Sequence, residues 1–477
     1  MNRSYVLVLA FLFVNLSFIN ANGGYEIKVK INDFAQEETY LGYHYGEKQY
    51  IKDTVQIGQD GYFTFKGDEP LEGGVYLIII PPENQYFQIL INPDEQHFTV
   101  ETNAENLFEN IKVYGSQDNQ WFYEYTSFLS TKKPEAEKIN KEIEAAGENK
   151  TEVEKLQKEL TKINESVKTY QENFIKEHPN SLTAAIIKSS IEVVIPRFEG
   201  EESDVELKRY LYYKEHYFDN IEMSDARMLR TPMLYGKIDY FIKKLTVQHP
   251  DSISISIDRI LSLVEPSKET YKFYLIHFLN EYAKSKFVGM DAVYVHLGEK
   301  YYCTGKAWWV EEEQLNKICS NVEKLKPILL GKIAPNIKMQ KKDGSPISLH
   351  DVKSDITVLF FWAPDCGHCK KAMPHVVEFY DKYSSKGVEI FAVCTKTGND
   401  MGDCWEGIEE KDMGKWINTV DPYLRSKYKQ IYDIRTTPRI FVLDKDKKII
   451  SKGIGGEQLE EVVEHAIIQM EKEQLDK

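Results

Sequence analysis

Apolar and polar residues alternate from Gly24 to about Thr102. Tyr25, Ile27, Val29 and Ile31 alternate with Glu26, Lys28 and Lys30, the period of a strand buried on one face. Gln59-Asp60-Gly61 separates Thr54-Val55-Gln56-Ile57 from Tyr62-Phe63-Thr64-Phe65, a turn signal that predicts a hairpin. Val75 to Ile80, Tyr86 to Ile91 and Phe98 to Thr102 continue the pattern, broken by Pro81-Pro82, Asn92-Pro93 and Asp94-Glu95. Short strands at this spacing predict an N-terminal antiparallel β-sandwich over residues 23–113. No catalytic constellation lies in it, and its tyrosines read as strand residues.

Near Ser116 the period becomes helical, and it stays so to about Leu330, predicting a central all-α domain over residues 114–330. Ile139, Ile143 and Ala146 form a short stripe that Gly147-Glu148-Asn149 breaks. Val153, Leu156, Leu160, Ile163, Val167, Tyr170 and Phe174 then make a heptad seam. That seam fits dimerisation or, the reading preferred here, packing of the two helices on each other or on their own domain. His178-Pro179-Asn180-Ser181 ends the second helix and caps the next at Leu182. Prolines 196, 232, 250 and 266 punctuate the rest.

Gly331 to Pro335 reads as a junction into a third domain, residues 331–477. Ile337-Lys338-Met339 and Ile347-Ser348-Leu349 flank Asp343-Gly344-Ser345 as a hairpin. Val358 to Trp362 is a continuous apolar run, as expected of a strand buried on both faces. From Gly367 the pattern is helical, so Cys366 and Cys369 fall at a helix start. Unpaired N–H groups and the helix dipole stabilise a thiolate there, which lowers a thiol's pKa and makes it a nucleophile. The chemistry implied is thiol–disulfide exchange. A C-x-x-C can also be half a zinc site or a structural clip. A second C-x-x-C is absent, and the eleven histidines show no H-x-x-x-H spacing with a neighbouring carboxylate. No metal ion or other cofactor is therefore expected. Downstream, Val388 to Val393 and Trp416 to Val420 read as strands, Ile440 to Leu443 and Lys448 to Lys452 as a hairpin, and Leu459 to Met470 as a closing helix. Residues 395–415 are an insertion, and Thr437-Pro438, just before a strand, is a candidate cis bond.

Phe361-Trp362-Ala363, then Cys366-Gly367-His368-Cys369, Lys370-Lys371, Pro374 and Thr437-Pro438 resemble the TlpA/ResA type of the thioredoxin superfamily. The resemblance runs from about residue 331 to the end. It implies an α/β thioredoxin fold, a thiol–disulfide oxidoreductase, Cys366 as attacking and Cys369 as resolving cysteine. It further implies His368 and Trp362 as tuners of the thiolate, and Thr437 and cis-Pro438 as the substrate-binding backbone facing the pair. Gly367-His368 is the dipeptide of protein disulfide isomerases, so a potential between about −270 and about −180 mV is expected. Two departures matter. Thioredoxin's buried aspartate, six residues before the first cysteine, is replaced by Phe360, and the TlpA/ResA glutamate, three after the second, by Ala372. Water, Asp365 or a group that the sequence does not locate is left to take the resolving thiol's proton. The three segments in this order resemble multi-domain exported thioredoxin-like proteins of Gram-negative bacteria.

Arg3, the apolar run Tyr5 to Val14 and the small residues at Asn20-Ala21-Asn22-Gly23 read as a secretory signal peptide over residues 1–22. An uncleaved anchor is the alternative, but the run is short and Asn15 interrupts it. Export implies the periplasm or cell envelope, with protein disulfides or dithiols as substrates, an electron donor or oxidant there, and no membrane span after signal removal. A length of 477 residues fits about three domains, and a net charge of −15 argues against a nucleic-acid partner. Cys303, Cys319, Cys394 and Cys404 allow three pairings, among which the sequence does not choose. Cys303 and Cys319 flank a helical stretch that a bond between them would clip. Cys394 fits a structural or buried free thiol, the reading preferred here, or a third redox thiol linked to Cys404. His375 reads as a surface residue. The rival function is an exported binding or scaffold protein whose C-x-x-C is structural or vestigial.

Overall fold

The alternation that starts at Tyr25 becomes a set of short strands in the computed structural model, which describes residues 23–34, 36–108 and 110–475. The signal segment expected over residues 1–22 lies outside the described residues. The chain divides into two units, the first ending at Ile238 and the second beginning at Asp239. The helical middle region is shared between them.

In the first unit the strands are β1 (Tyr25–Asn32), β2 (Glu38–Tyr45), β3 (Lys48–Gln56), β4 (Phe63–Gly67), β5 (Gly74–Ile80), β6 (Gln85–Ile91), β7 (His97–Asn103) and β8 (Lys112–Tyr114). They form two four-stranded sheets, ordered β4-β1-β7-β8 and β3-β2-β5-β6. Ile27, Val29 and Phe65 of the first sheet share one apolar cluster with Leu41, Ile78 and Phe87 of the second. Two expectations are corrected. The predicted hairpin closes at its turn alone, through the antiparallel bridge of Ile57 with Phe63 and the Gly58 N–H donating to the Tyr62 carbonyl at 2.8 Å; beyond it β3 pairs with β2 and β4 with β1, which brings Phe63 and Phe65 into the core. The sheets are also not wholly antiparallel. The chain passes through the other sheet between β1 and β7, so it returns in the same direction and pairs in parallel, Ile27 beside Phe98 and Val29 beside Val100.

The helices Gln117–Ala146 and Lys150–Glu177 follow. The heptad seam packs within the chain: Tyr170 stacks on Phe128 at 4.5 Å between ring centroids, and Trp121 meets Phe174 edge-on at 6.0 Å. Ser181 caps the helix Leu182–Ser190 by accepting the Ala184 N–H at 3.0 Å. The buried Asp118 carboxylate also serves that helix start, accepting the N–H groups of Leu182 at 2.7 Å and Thr183 at 3.1 Å. It takes a further bond from the Asn92 amide at 2.8 Å.

The second unit holds the helices Pro250–Val264, Lys268–Ala283, Asp291–Leu297 and Glu312–Leu325. A seven-stranded sheet comes next in the chain: β9 (Lys338–Gln340), β10 (Pro346–Ser348), β11 (Ile356–Trp362), β12 (Val388–Cys394), β13 (Ile417–Val420), β14 (Arg439–Leu443) and β15 (Ile449–Lys452), in the order β10-β9-β13-β12-β11-β14-β15. β11 is central and buried on both faces. Val358, Phe360 and Trp362 face the helices Gly367–Tyr383 and Leu459–Leu475, meeting Val376, Phe379 and Leu459. Leu359 and Phe361 point the other way, onto Tyr428 and Tyr432. The insertion carries the helix Met401–Glu410. Cys303 bonds to Cys319, and Cys394 to Cys404. Among the described residues no helix is long and apolar enough to cross a membrane.

Asp118→Ala strips a charged acceptor from two buried helix-terminal N–H groups. Chemical denaturation of the full chain is expected to show a loss of about 3 kcal/mol, whereas Asp118→Asn, which keeps one acceptor oxygen, loses less.

Candidate active site

β11 ends at Trp362, a turn of three residues follows, and Cys366 opens the helix Gly367–Tyr383 as its N-cap, with extended backbone (φ −77°, ψ 115°). Its Sγ accepts the Cys369 N–H at 3.1 Å, the position a cap oxygen usually fills. On its other side Sγ lies 3.1 Å from the Thr437 carbonyl, to which the thiol donates. The sheet register explains that meeting. β14 runs antiparallel to β11 with Arg439 opposite Phe361, so the residues just before Arg439 emerge where β11 hands over to the helix. The Thr437–Pro438 peptide there is cis.

The two sulfurs differ in acidity. Burial pushes the half-buried Cys366 up. Hydrogen bonding from the Cys369 and Thr437 side chains, together with the backbone N–H groups of Cys369 and His368, outweighs that push, so the thiol falls below its ordinary 9.0. Cys369 is only 1 % exposed. Burial, reinforced by the bond to Cys366, pushes it up to about 12. One thiol is thus readied to ionise while its neighbour is held protonated.

The other predicted site residues are placed as follows. His368 is exposed and turns its backbone N–H toward Sγ. Trp362 is buried behind the thiols, so close to Gly407 that a Cβ there would lie 3.3 Å from the ring. Asp365 is exposed and bonded to Lys396 at 2.7 Å, which holds its carboxyl below the usual range and makes it a poor proton acceptor. Phe360 is sealed in the core. At Ala372 the backbone of Gly456 packs so closely that a Cβ on it would lie 2.9 Å from the Ala372 carbonyl oxygen. His375 is exposed.

The disulfide Cys394–Cys404 is the feature that sequence reasoning left open, and the reading of Cys394 as a free buried thiol is corrected. Cys394 pairs with Trp362 across the sheet. Cys404, Gly407 and Ile408 are the buried face of the insertion helix, at spacings of three and four. Reading that period in the insertion would have turned Cys404 toward Cys394. Among the described residues no group of three or more His, Cys, Asp or Glu is arranged to hold a metal ion.

Three family models match the chain: Redoxin over residues 329–467, and two domains of unknown function, DUF4369 over residues 25–122 and DUF5106 over residues 147–327. The thiol-disulfide oxidoreductase ResA of one strain of Bacillus cereus is 35% identical over 138 residues, 28% of this chain and 75% of the relative. That of Bacillus subtilis (strain 168) is 27% identical, covering 28% of this chain and 71% of the relative. Among solved structures, a thiol:disulfide interchange protein from Bacteroides sp. is 29% identical, covers 28% of this chain and 88% of its own, and superposes with a TM-score of 0.27. Through its C-terminal region this chain belongs to the redoxin family, as a thiol–disulfide oxidoreductase of the ResA type.

Proposed function

We propose that this protein exchanges disulfides with polypeptide substrates outside the cytoplasm, through Cys366 and Cys369. The observation that carries this reading is the position of Cys366 Sγ between the Cys369 N–H and the Thr437 carbonyl, with its acidity raised while that of Cys369 is lowered. The Cys366 thiolate attacks one sulfur of a substrate disulfide. A new S–S bond forms, the substrate's bond breaks, and its electron pair leaves with the other substrate sulfur. Cys369 then gives up its proton and attacks Cys366 Sγ. The second substrate thiolate departs, leaving Cys366–Cys369 oxidised and the substrate reduced by two electrons. In reverse the same steps oxidise a dithiol.

Thr437 and Pro438 present backbone to an extended substrate strand, which would fix the sulfurs in line. Trp362 backs the centre from the core, and His368 contributes its N–H to the thiolate. Loss of the proton from Cys369 is the difficult step, because neither Phe360 nor Ala372 offers a base. Solvent entering once Cys366 is engaged is the remaining acceptor. Two lines support export. Residues 1–22 have the pattern of a secretory signal, and four of the six cysteines are joined in disulfides, which persist in oxidising compartments. An electron donor or oxidant of the envelope would set the direction of turnover. The domains 23–113 and 114–330 would present this centre to its clients.

Reduction of insulin by the full chain with dithiothreitol is expected to fall to the uncatalysed rate in Cys366→Ser. Cys369→Ser is expected to accumulate the mixed disulfide, visible by mass; a Cys366→Ser protein as active as the parent would refute the assignment.

Thiolate is the species that alkylates, so lowering the Cys366 pKa moves its labelling to lower pH. Iodoacetamide labelling followed by mass spectrometry should give a midpoint below 9.0 for Cys366 and one far above it for Cys369. For Cys369 the folded state favours the protonated form up to about 12, against about 9.0 when unfolded. Its contribution to the stability of the reduced protein is therefore complete below about 9.0 and declines as pH rises from there toward 12. Denaturant midpoints of the reduced protein across that range test the sign.

A further inference from the structure

A cleft of about 700 Å³ opens within the second unit, beside the cis-proline. One wall is the segment leading into β14, which contributes Thr436 and Arg439. The opposite wall is the segment after the helix Lys268–Ala283, which contributes Lys286, Phe287 and Val288. The two residues between Thr436 and Arg439 are Thr437 and Pro438, and the Thr437 carbonyl is the one 3.1 Å from Cys366 Sγ. A polypeptide whose cysteine sits on Cys366, and whose backbone follows Thr437-Pro438, therefore carries its neighbouring residues into this cleft.

The lining has a net positive charge, unlike the protein as a whole at −15. Its carboxylates are taken: Asp291 pairs with Lys452, and Asp433 with Arg435. Lys286 and Arg439 have no ion pair among the described residues. The Arg439 guanidinium, 5.9 Å from the Phe441 ring centroid, is on the cleft lining. A guanidinium without an ion pair on a cleft wall matches a carboxylate, which offers charge and a planar acceptor together. Phe287, 80 % exposed on the facing wall, provides an apolar shelf against which such a segment can lie.

We propose that this cleft selects clients, binding an acidic side chain close in sequence to the client's reacting cysteine through Arg439 and Lys286. The proposal rests on the redox reading of Cys366 and adds the class of substrate. It also gives the helical part of the second unit a task, since Lys286 and Phe287 come from there.

The test uses the full chain, dithiothreitol as reductant, and two peptides with a single cysteine in mixed disulfide with uncharged 2-mercaptoethanol. The peptides differ only in carrying Glu or Gln two residues to either side of the cysteine. The Glu peptide is expected to show kcat/KM about tenfold higher at low ionic strength, the equivalent of one charge-assisted pair, mainly through KM. The preference should shrink as salt is raised from about 0.01 M to about 1 M. It should disappear in Arg439→Gln and weaken in Lys286→Gln, whose exposed position leaves the core untouched; circular dichroism confirms that both variants fold. Equal kcat/KM for the two peptides in the parent protein, or a preference that survives both substitutions, overturns the proposal. Failure to reduce either peptide, with the parent no better than Cys366→Ser, overturns instead the redox reading beneath it.

Discussion

The N–H of Cys369 pointing at Cys366 Sγ is the interaction on which the second unit turns. It exists only if a helix begins at Gly367, because only the first turn of a helix has N–H groups to spare. The helix can begin there only if β11 stops at Trp362, and β11 holds its place because both its faces are buried. β14 must then lie beside β11 in the observed register to deliver Thr437 to the other side of the sulfur. Central strand, helix start and cis-proline loop thus answer to one atom.

That arrangement creates a problem as well as a reactive thiol. The burial that protects Cys369 also opposes its ionisation, and the places from which a carboxylate could help hold the apolar Phe360 and Ala372. Asp365 is near in sequence but is engaged by Lys396 on the surface. The centre is therefore well equipped for the first half of an exchange and sparsely equipped for the second. Its reaction would be paced by how readily the protein releases a mixed disulfide.

The parts of the fold legible in the sequence were those in which one short stretch carries its own cause. The apolar run at β11, the alternation at β1, the Ser181 cap and the heptad seam each reflect a local period or a local hydrogen bond. The placement of Cys366 and Cys369 at a helix start was legible for the same reason, since a C-x-x-C between a buried strand and a helix states its surroundings. What was not legible depended on partners far away. The turn at Gln59-Asp60-Gly61 closes a single bridge, Ile57 with Phe63, but the strand beyond it leaves β3 and pairs with β1 in the other sheet. The parallel pairing of β1 with β7 depends on the path between them. Cys404 could be paired only once its helix was known to lie against Cys394. Nothing in the chain around Arg439 or Lys286 announces that the fold lines one cleft with both.

Two kinds of sulfur pair share this chain. Cys394 and Cys404 are bonded and shut away in the core, within one strand of an open dithiol whose Cys366 reaches solvent. On the proposed reading, a reductant recharging the dithiol would come very near the bonded pair on every visit. Exchange requires an approaching thiolate to touch the sulfur it attacks, so the barrier between the two pairs is steric. The packing around Trp362 and the insertion helix would thus work as insulation, letting a permanent fastener survive beside a contact that the proposed function makes and breaks repeatedly.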